Sequence, residues 1–453
     1  MSTFSNSTIF EVKQVSSTSS SQGVFATSPI PASTTILTDS NPLLALPINH
    51  TLPSTSISHP EEKLKLYAQS FVNSEPGERQ KWLELCAPEL PKDLVQMVNK
   101  VSEEALSFTL VSPKPTLTST ARAVVVAMAN CFEDGLLYVS GLSRFNHSCN
   151  PNAIYLPTSQ NGKHVKALRD ITPGEEITVS YLGLKVYAGR SERRRILLES
   201  KFFQCSCRRC LDSKVSLRPD FTRTIPCPFC HPRSSSHALP EEVAWEEVDV
   251  SYIQLADEGE SAGVCKRCNT TLAPSHPCIV TEDKVTKKIL SFLSSPESST
   301  SSPDDMDVDE DTEMEDEMYA LSLSTLGPRH WATVQVQMLT LDRACHEINR
   351  KLLVGGTIEE VELAEAIDVC ERLFDWFGGL GKFGGDRALA KQCVTIARAL
   401  VSFEDDKSKA YGRQWIEKVE EWITNFESEG LQIAIASIKG DGGQEGGGKK
   451  KRR

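Results

Sequence analysis

Cysteine spacing constrains this chain more than any other feature. Three thiols lie within six residues in Cys205-Ser206-Cys207-Arg208-Arg209-Cys210. Two Cys-x2-Cys knuckles follow, Cys227-Pro228-Phe229-Cys230 and Cys265-Lys266-Arg267-Cys268. Thiolates at such spacing present their sulfurs to one tetrahedral zinc. The dense cluster supplies three ligands and needs a fourth from elsewhere. The two later knuckles supply four between them, in a ribbon arrangement with a 34-residue gap. His231, His237, His276 and Cys278 are alternative ligands nearby. Four protein ligands leave no open coordination position, so both sites are expected to be structural. The chain has no H-E-x-x-H and no H-x-E followed by P-C-x-x-C, so catalytic zinc is not expected.

The 453 residues divide by pattern. Short strands with Pro29, Pro31 and Pro42 as breaks are predicted over 8–47. Leu64, Tyr67, Ala68 and Phe71 fall at helical spacing, and Trp82 and Leu85 continue it, giving a helical insert at about 50–120. A further helix is predicted over Ala121–Phe132. Strands are predicted over Ala153–Leu156, His164–Leu168 and Glu176–Val179, and a charged helix over Gly189–Ser200. A zinc-ribbon-like segment occupies 211–293. Residues 294–317 are Ser/Pro-rich and then acidic, too poor in apolar surface to fold alone, and are read as a disordered linker. Residues 318–430 are read as a helical bundle or repeat stack, with Leu363, Ile367, Cys370, Phe374 and Phe377 on one stripe and Trp415, Val419, Trp422 and Phe426 on another. Residues 431–453 are read as a disordered basic tail ending in Lys449-Lys450-Lys451-Arg452-Arg453, a nuclear-import candidate.

Net charge is −12, but Asp304–Glu317 alone holds ten acidic residues; removing those ten leaves −2. Global charge therefore excludes little. No run of eighteen apolar residues marks a membrane span, and Met1–Ser7 lacks the basic start and apolar stretch of a secretory signal. A reducing compartment, nucleus or cytoplasm, is the expected location. The ribbon insert carries Glu241, Glu242, Glu246 and Glu247, so specific nucleic-acid binding is not expected.

Three motifs occur in order. Gly141–Asn152 reads GLSRFNHSCNPN, Gly174–Tyr181 reads GEEITVSY, and Phe203–Cys210 reads F-x-C-x-C-x-x-C. Together with residues 8–47 and 121–210 they resemble the SET-domain lysine methyltransferases, most of all the SET-and-MYND branch. That resemblance implies an α+β fold: a split SET domain over 8–210, with small β-sheets and a pseudoknot, a helical insert, a zinc-bound post-SET segment and helices beyond. The insert contains only Cys86, so the finger of the SET-and-MYND proteins is not expected there.

The resemblance also implies roles. S-adenosylmethionine is the expected cofactor, contacted by Gln22, Gly23, Asn130, Asn146, His147, Tyr181 and Phe203. Tyr181 matches the active-site tyrosine. Cys149 would complete one zinc with Cys205, Cys207 and Cys210; the second zinc, at Cys227, Cys230, Cys265 and Cys268, is expected from knuckle spacing alone. The expected partner is a protein substrate with a target lysine, a histone or another protein, met by a monomer. Ser21 replaces the first glycine of the N-terminal turn, and Lys201 stands where relatives often place an aromatic of the lysine channel. An interaction module on a degenerate SET scaffold is the alternative.

Overall fold

The alternation read near the N-terminus builds strands because every second side chain enters a shared core. The computed structural model describes residues 9–15, 22–46, 61–132, 135–138, 141–158, 162–211, 222–230, 252–255, 263–265, 267–293, 308–378, 384–403, 405–427 and 429–439. These fall into two compact units, one ending at Arg223 and one taking up Thr224 onward. The predicted features at Met1–Ser7, Ser21, His231, His237, Glu241, Glu242, Glu246, Glu247, 294–307 and Lys449–Arg453 lie outside the described residues.

In the first unit, β1 (Phe10–Gln14) pairs antiparallel with β2 (Gln22–Ala26), placing Phe10 opposite Ala26. A second group is β3 (Thr35–Asp39), β7 (Ala153–Pro157) and β8 (Lys163–Ala167), in the order β3-β8-β7. The pair β4 (Leu44–Ala45) and β5 (Leu136–Leu137) is separate. The two-residue β6 (Asn146–His147) runs parallel to β9 (Glu176–Val179), and β9 in turn pairs antiparallel with β2. The sheet order β1-β2-β9-β6 therefore joins the chain's start to both later motifs. Phe10, Val24, Ile36, Phe145, Val165, Ile177 and Val179 form the core beneath.

The insert folds as helices α1 (Glu61–Asn73), α2 (Pro76–Leu83) and α3 (Lys92–Phe108), with α4 (Leu117–Asn130) closing it. Leu64, Tyr67, Phe71, Trp82, Val101 and Val124 bury together, each contributing about 1.5–3 kcal/mol of transfer free energy. The Trp82 indole N–H is satisfied by the Ala123 carbonyl at 3.0 Å. Helix α4 starts at Leu117, not Ala121, because Thr116 and Ser119 make a reciprocal capping box. Helix α5 (Arg190–Lys201) ends when Phe202 takes φ +61°, a left-handed conformation costly for a bulky residue. That turn sends Phe203 and the thiols away from the helix axis.

In the second unit, β10 (Thr224–Pro226), β11 (Tyr252–Leu255), β12 (Gly263–Cys265) and β13 (Thr271–Leu272) form an antiparallel sheet in sequence order. The helices are α6 (Pro277–Leu293), α7 (Val308–Leu326), α8 (Trp331–Val354), α9 (Glu360–Gly378), α10 (Gly384–Ser402), α11 (Asp406–Phe426) and α12 (Glu429–Lys439). From α7 to α11 each packs on the next. Gly412 sits where a Cβ would come 3.0 Å from the Ala397 carbonyl, so α10 and α11 approach closely.

Two further expectations differ from the structure. Residues 308–317, read as disordered linker, are the first turns of α7. Glu315 is buried and paired with Arg343 at 2.7 Å, and Met318 is buried, so one side of the acidic segment has a surface to dock on. Residues 431–439, read as disordered tail, belong to α12, where Ile435 and Ile438 are buried. In both segments the neighbouring helices supply the contacts that composition alone does not reveal.

Candidate active site and metal clusters

The Asn-His pair of the first motif is held by the strand that carries the second. Asn146 lies opposite Thr178 and His147 opposite Val179. The Ser148 amide continues the pairing by donating to the Val179 carbonyl at 2.8 Å. Asn146 Nδ2 donates to Glu176 Oε1 at 2.8 Å and to the Gln22 carbonyl at 2.9 Å. Arg144 Nη1 donates to Gln22 Oε1 at 3.0 Å. At Gly23 a Cβ would come 2.5 Å from Glu176 Oε1 and 2.9 Å from Asn146 Nδ2, so a side chain there would displace that pair. Deeper in, buried Asn152 donates to Glu175 Oε1 at 3.0 Å and to the Glu176 carbonyl at 2.9 Å, and accepts from the Thr178 amide at 2.8 Å.

His147, Tyr181 and Phe203 form an aromatic triangle. Ring centroids are 5.4 Å apart for His147–Tyr181, 6.1 Å for His147–Phe203 and 6.4 Å for Tyr181–Phe203. The Tyr181 amide donates to His147 Nδ1 at 3.0 Å, which leaves the neutral ring's proton on Nε2. Nε2 faces Cys149 Sγ at 3.2 Å. Burial, aided by the Arg193 charge and opposed by Cys207, lowers His147 to about 4, so it is neutral near pH 7. The Tyr181 hydroxyl donates to the Phe145 carbonyl at 2.6 Å, and burial raises its pKa, so it stays protonated. Asn130 Nδ2 donates to the Val126 and Cys86 carbonyls at 2.8 and 2.9 Å. The structure thus gathers Gln22, Gly23, Asn146, His147, Tyr181 and Phe203. Asn130 connects to them through Lys201, whose Nζ bonds the carbonyls on either side of it.

Cys149, Cys205, Cys207 and Cys210 bring their sulfurs within 4.8 Å of one another. Cys149 Sγ is 3.9 Å from that of Cys205 and 3.5 Å from that of Cys210. Four sulfurs about 2.3 Å from a tetrahedral zinc stand about 3.8 Å apart, so the set fits that ion. Mutual hydrogen bonding raises the Cys149 thiol and lowers Cys207, the pattern of sulfurs crowded enough to share protons. Three arginines grip the cluster. Arg193, fully buried, donates to Cys210 Sγ at 3.6 Å and to the Ala188 carbonyl at 2.5 Å. Arg194 bonds the Cys205 and Cys210 carbonyls at 3.2 and 2.9 Å. Arg209 bonds the Cys149 and Val186 carbonyls at 3.2 and 2.7 Å. A buried guanidinium keeps its charge, so anionic sulfur is its natural neighbour.

Cys227, Cys230, Cys265 and Cys268 form the second set, also within 4.8 Å. Cys227–Cys268 and Cys230–Cys265 sulfur distances are 3.7 and 3.8 Å, and zinc fits equally. The Thr270 hydroxyl and amide lower Cys268 to about 6. His276 and Cys278 stand outside this set: His276 Nδ1 accepts the Cys278 amide at 3.3 Å.

Sequence reasoning missed the three arginines' contacts, Glu176 and the Asn152 bonds. The signal was present in Arg193-Arg194 shortly before three close-spaced cysteines, in Arg209 among them, and in a carboxylate pair at Glu175-Glu176. Among the described residues no helix is long and apolar enough to cross a membrane.

Comparison with known proteins matches the SET domain model to residues 21–182. Protein-lysine N-trimethyltransferase SMYD5 of Mus musculus is 45% identical over 84 residues, 18% of this chain and 20% of that protein. Histone-lysine N-methyltransferase SMYD3 of Homo sapiens is 37% identical over 87 residues, 19% of each. The chain thus spans about a fifth of the length of these curated relatives. A solved structure, the SET domain of LSMT bound to lysine and AdoHcy, aligns over 96% of this chain and 87% of its own. Its TM-score is 0.29 at 12% identity, too low to place individual residues.

Proposed function

From a chain whose residues 21–182 form a SET domain, we propose an S-adenosylmethionine-dependent protein-lysine N-methyltransferase. The observation that carries this reading is the parallel pairing of Asn146–His147 with β9, which gathers Gly23, Tyr181, Phe203 and a four-thiol cluster at one place. S-adenosylmethionine, when bound, supplies an electrophilic methyl on a sulfonium. Gln22, Gly23, Asn146, His147 and Phe203 are the residues that would hold it: main-chain and amide groups beside a buried glycine, and an aromatic edge. Neutral His147 adds no charge that would repel a cationic ligand.

The chain's part in transfer is positioning and exclusion of water. A target lysine must arrive neutral and in line, and an enclosed aromatic wall disfavours its ammonium form. Tyr181, protonated and locked onto Phe145, presents a rigid ring and hydroxyl beside that path. Zinc at Cys149, Cys205, Cys207 and Cys210 would tie the Asn-His segment to the stretch carrying Phe203. The fourteen free cysteines fit a reducing compartment, nucleus or cytoplasm. A histone is one candidate substrate, and a monomer is the working state.

The test is transfer of labelled methyl from S-adenosylmethionine into a cell lysate by zinc-loaded protein, with the modified lysine then identified. Tyr181→Phe should lose most of the labelling while keeping zinc. Intact, zinc-loaded protein that binds no cofactor in calorimetry and labels no protein would overturn the reading in favour of an interaction scaffold.

A further inference from the structure

Lys201 ends α5, and the structure gives its amine a defined seat. Nζ donates to the carbonyl oxygens of Ala129 at 3.0 Å and Cys131 at 2.9 Å, on either side of Asn130. It also stands 6.0 Å from the centroid of the Tyr181 ring. The side chain is half-buried, and the left-handed turn at Phe202 ends the helix directly after it. Two carbonyl acceptors and a tyrosine alongside fix the amine in one place, the positioning that methyl transfer asks of a target amine.

We infer that Lys201 is a methyl acceptor in cis: the protein modifies a lysine of its own active site. This rests on the methyltransferase reading above. The ammonium first gives a proton to water. The neutral amine keeps two N–H groups, matching the two carbonyls, and a lone pair. The lone pair attacks the sulfonium methyl of S-adenosylmethionine. An N–C bond forms, the C–S bond breaks, its electron pair passes to sulfur, and S-adenosylhomocysteine leaves. No oxidant, reductant or further reactant is needed. The product, reprotonated, is a monomethylammonium that still has two N–H donors for Ala129 and Cys131. A dimethylated ammonium has one and must give up a carbonyl, so one methyl is the expected end state.

The experiment uses full-length, zinc-loaded protein with labelled S-adenosylmethionine and no added substrate, mapped by tandem mass spectrometry. A single methyl on Lys201 is expected. The modified fraction at a given time should not change when the protein is diluted, because the reaction is intramolecular. Tyr181→Phe should lose the label, and added S-adenosylhomocysteine should suppress it in the unaltered chain, whichever way that variant folds. Label on lysate proteins or other lysines with Lys201 unmodified overturns the inference and leaves the methyltransferase reading standing. Labelling of Lys201 that slows on dilution overturns the cis route. Absence of both cofactor binding and label overturns the inference and the reading beneath it.

Discussion

Replacing Asn152 with alanine should loosen β9 without touching the site directly. Asn152 is 1% exposed and joins the end of the first motif to the second by three side-chain hydrogen bonds. Two involve neutral main-chain groups, the Glu176 carbonyl and the Thr178 amide, and are each worth about 1 kcal/mol net. The third reaches the Glu175 carboxylate, whose side chain is 27% exposed; screening brings that bond to about 1 kcal/mol as well. The total is about 3 kcal/mol, or about two orders of magnitude in the opening equilibrium. Hydrogen exchange at the Thr178 amide, read by mass spectrometry, should accelerate by that factor and by less in α1 to α4. Asn152→Asp keeps the acceptor for Thr178 but sets a second carboxylate against Glu175 and the Glu176 carbonyl, so it should be no better than alanine at neutral pH. Exchange at Thr178 within about threefold of the unaltered protein would refute the reasoning, because ~0.6 kcal/mol cannot represent three such bonds.

Metal analysis should return two zinc per chain, with Cys149→Ser losing one and Cys265→Ser the other; chelator treatment should release both. Arg193→Met should weaken only the Cys149 cluster, by about 10–100-fold in zinc affinity, read as faster release to a chromogenic chelator with the Cys265 cluster as internal reference. Glu175 gives a pH signature. Burial alone would raise it, but Arg169, Asn152 and Thr172 outweigh that and hold it at about 2. Its folded pKa is depressed, so the stabilisation is full above about 4.5 and is lost as pH falls toward 2. Arg169→Met should therefore destabilise the protein at pH 7 and converge with the unaltered chain as pH approaches 2, measured by thermal unfolding. Gly23→Ala should displace Asn146 from Glu176 and lower cofactor affinity in calorimetry by about tenfold or more, the worth of one or two hydrogen bonds.

Some of this protein is written in its sequence alone. The two thiol sets were readable because knuckle spacing is local: Cys205, Cys207 and Cys210 can converge whatever surrounds them. The buried stripe of Trp415, Val419, Trp422 and Phe426 was readable because helical period sorts side chains before any partner is known. Cys149, far from its companions in sequence, was reached only through a family resemblance. What the tertiary structure decided are the meetings of distant segments. It set β6 parallel to β9 and ran β1-β2-β9-β6 across the fold. It aimed Arg193 at Cys210, Asn146 at Glu176, and Lys201 at the carbonyls beside Asn130. It also gave the acidic residues 308–317 a helix to join and a partner in Arg343. None of these follows from composition or period. A hydrogen bond or ion pair is defined by where two segments end up, and that is fixed only when the whole core closes around them.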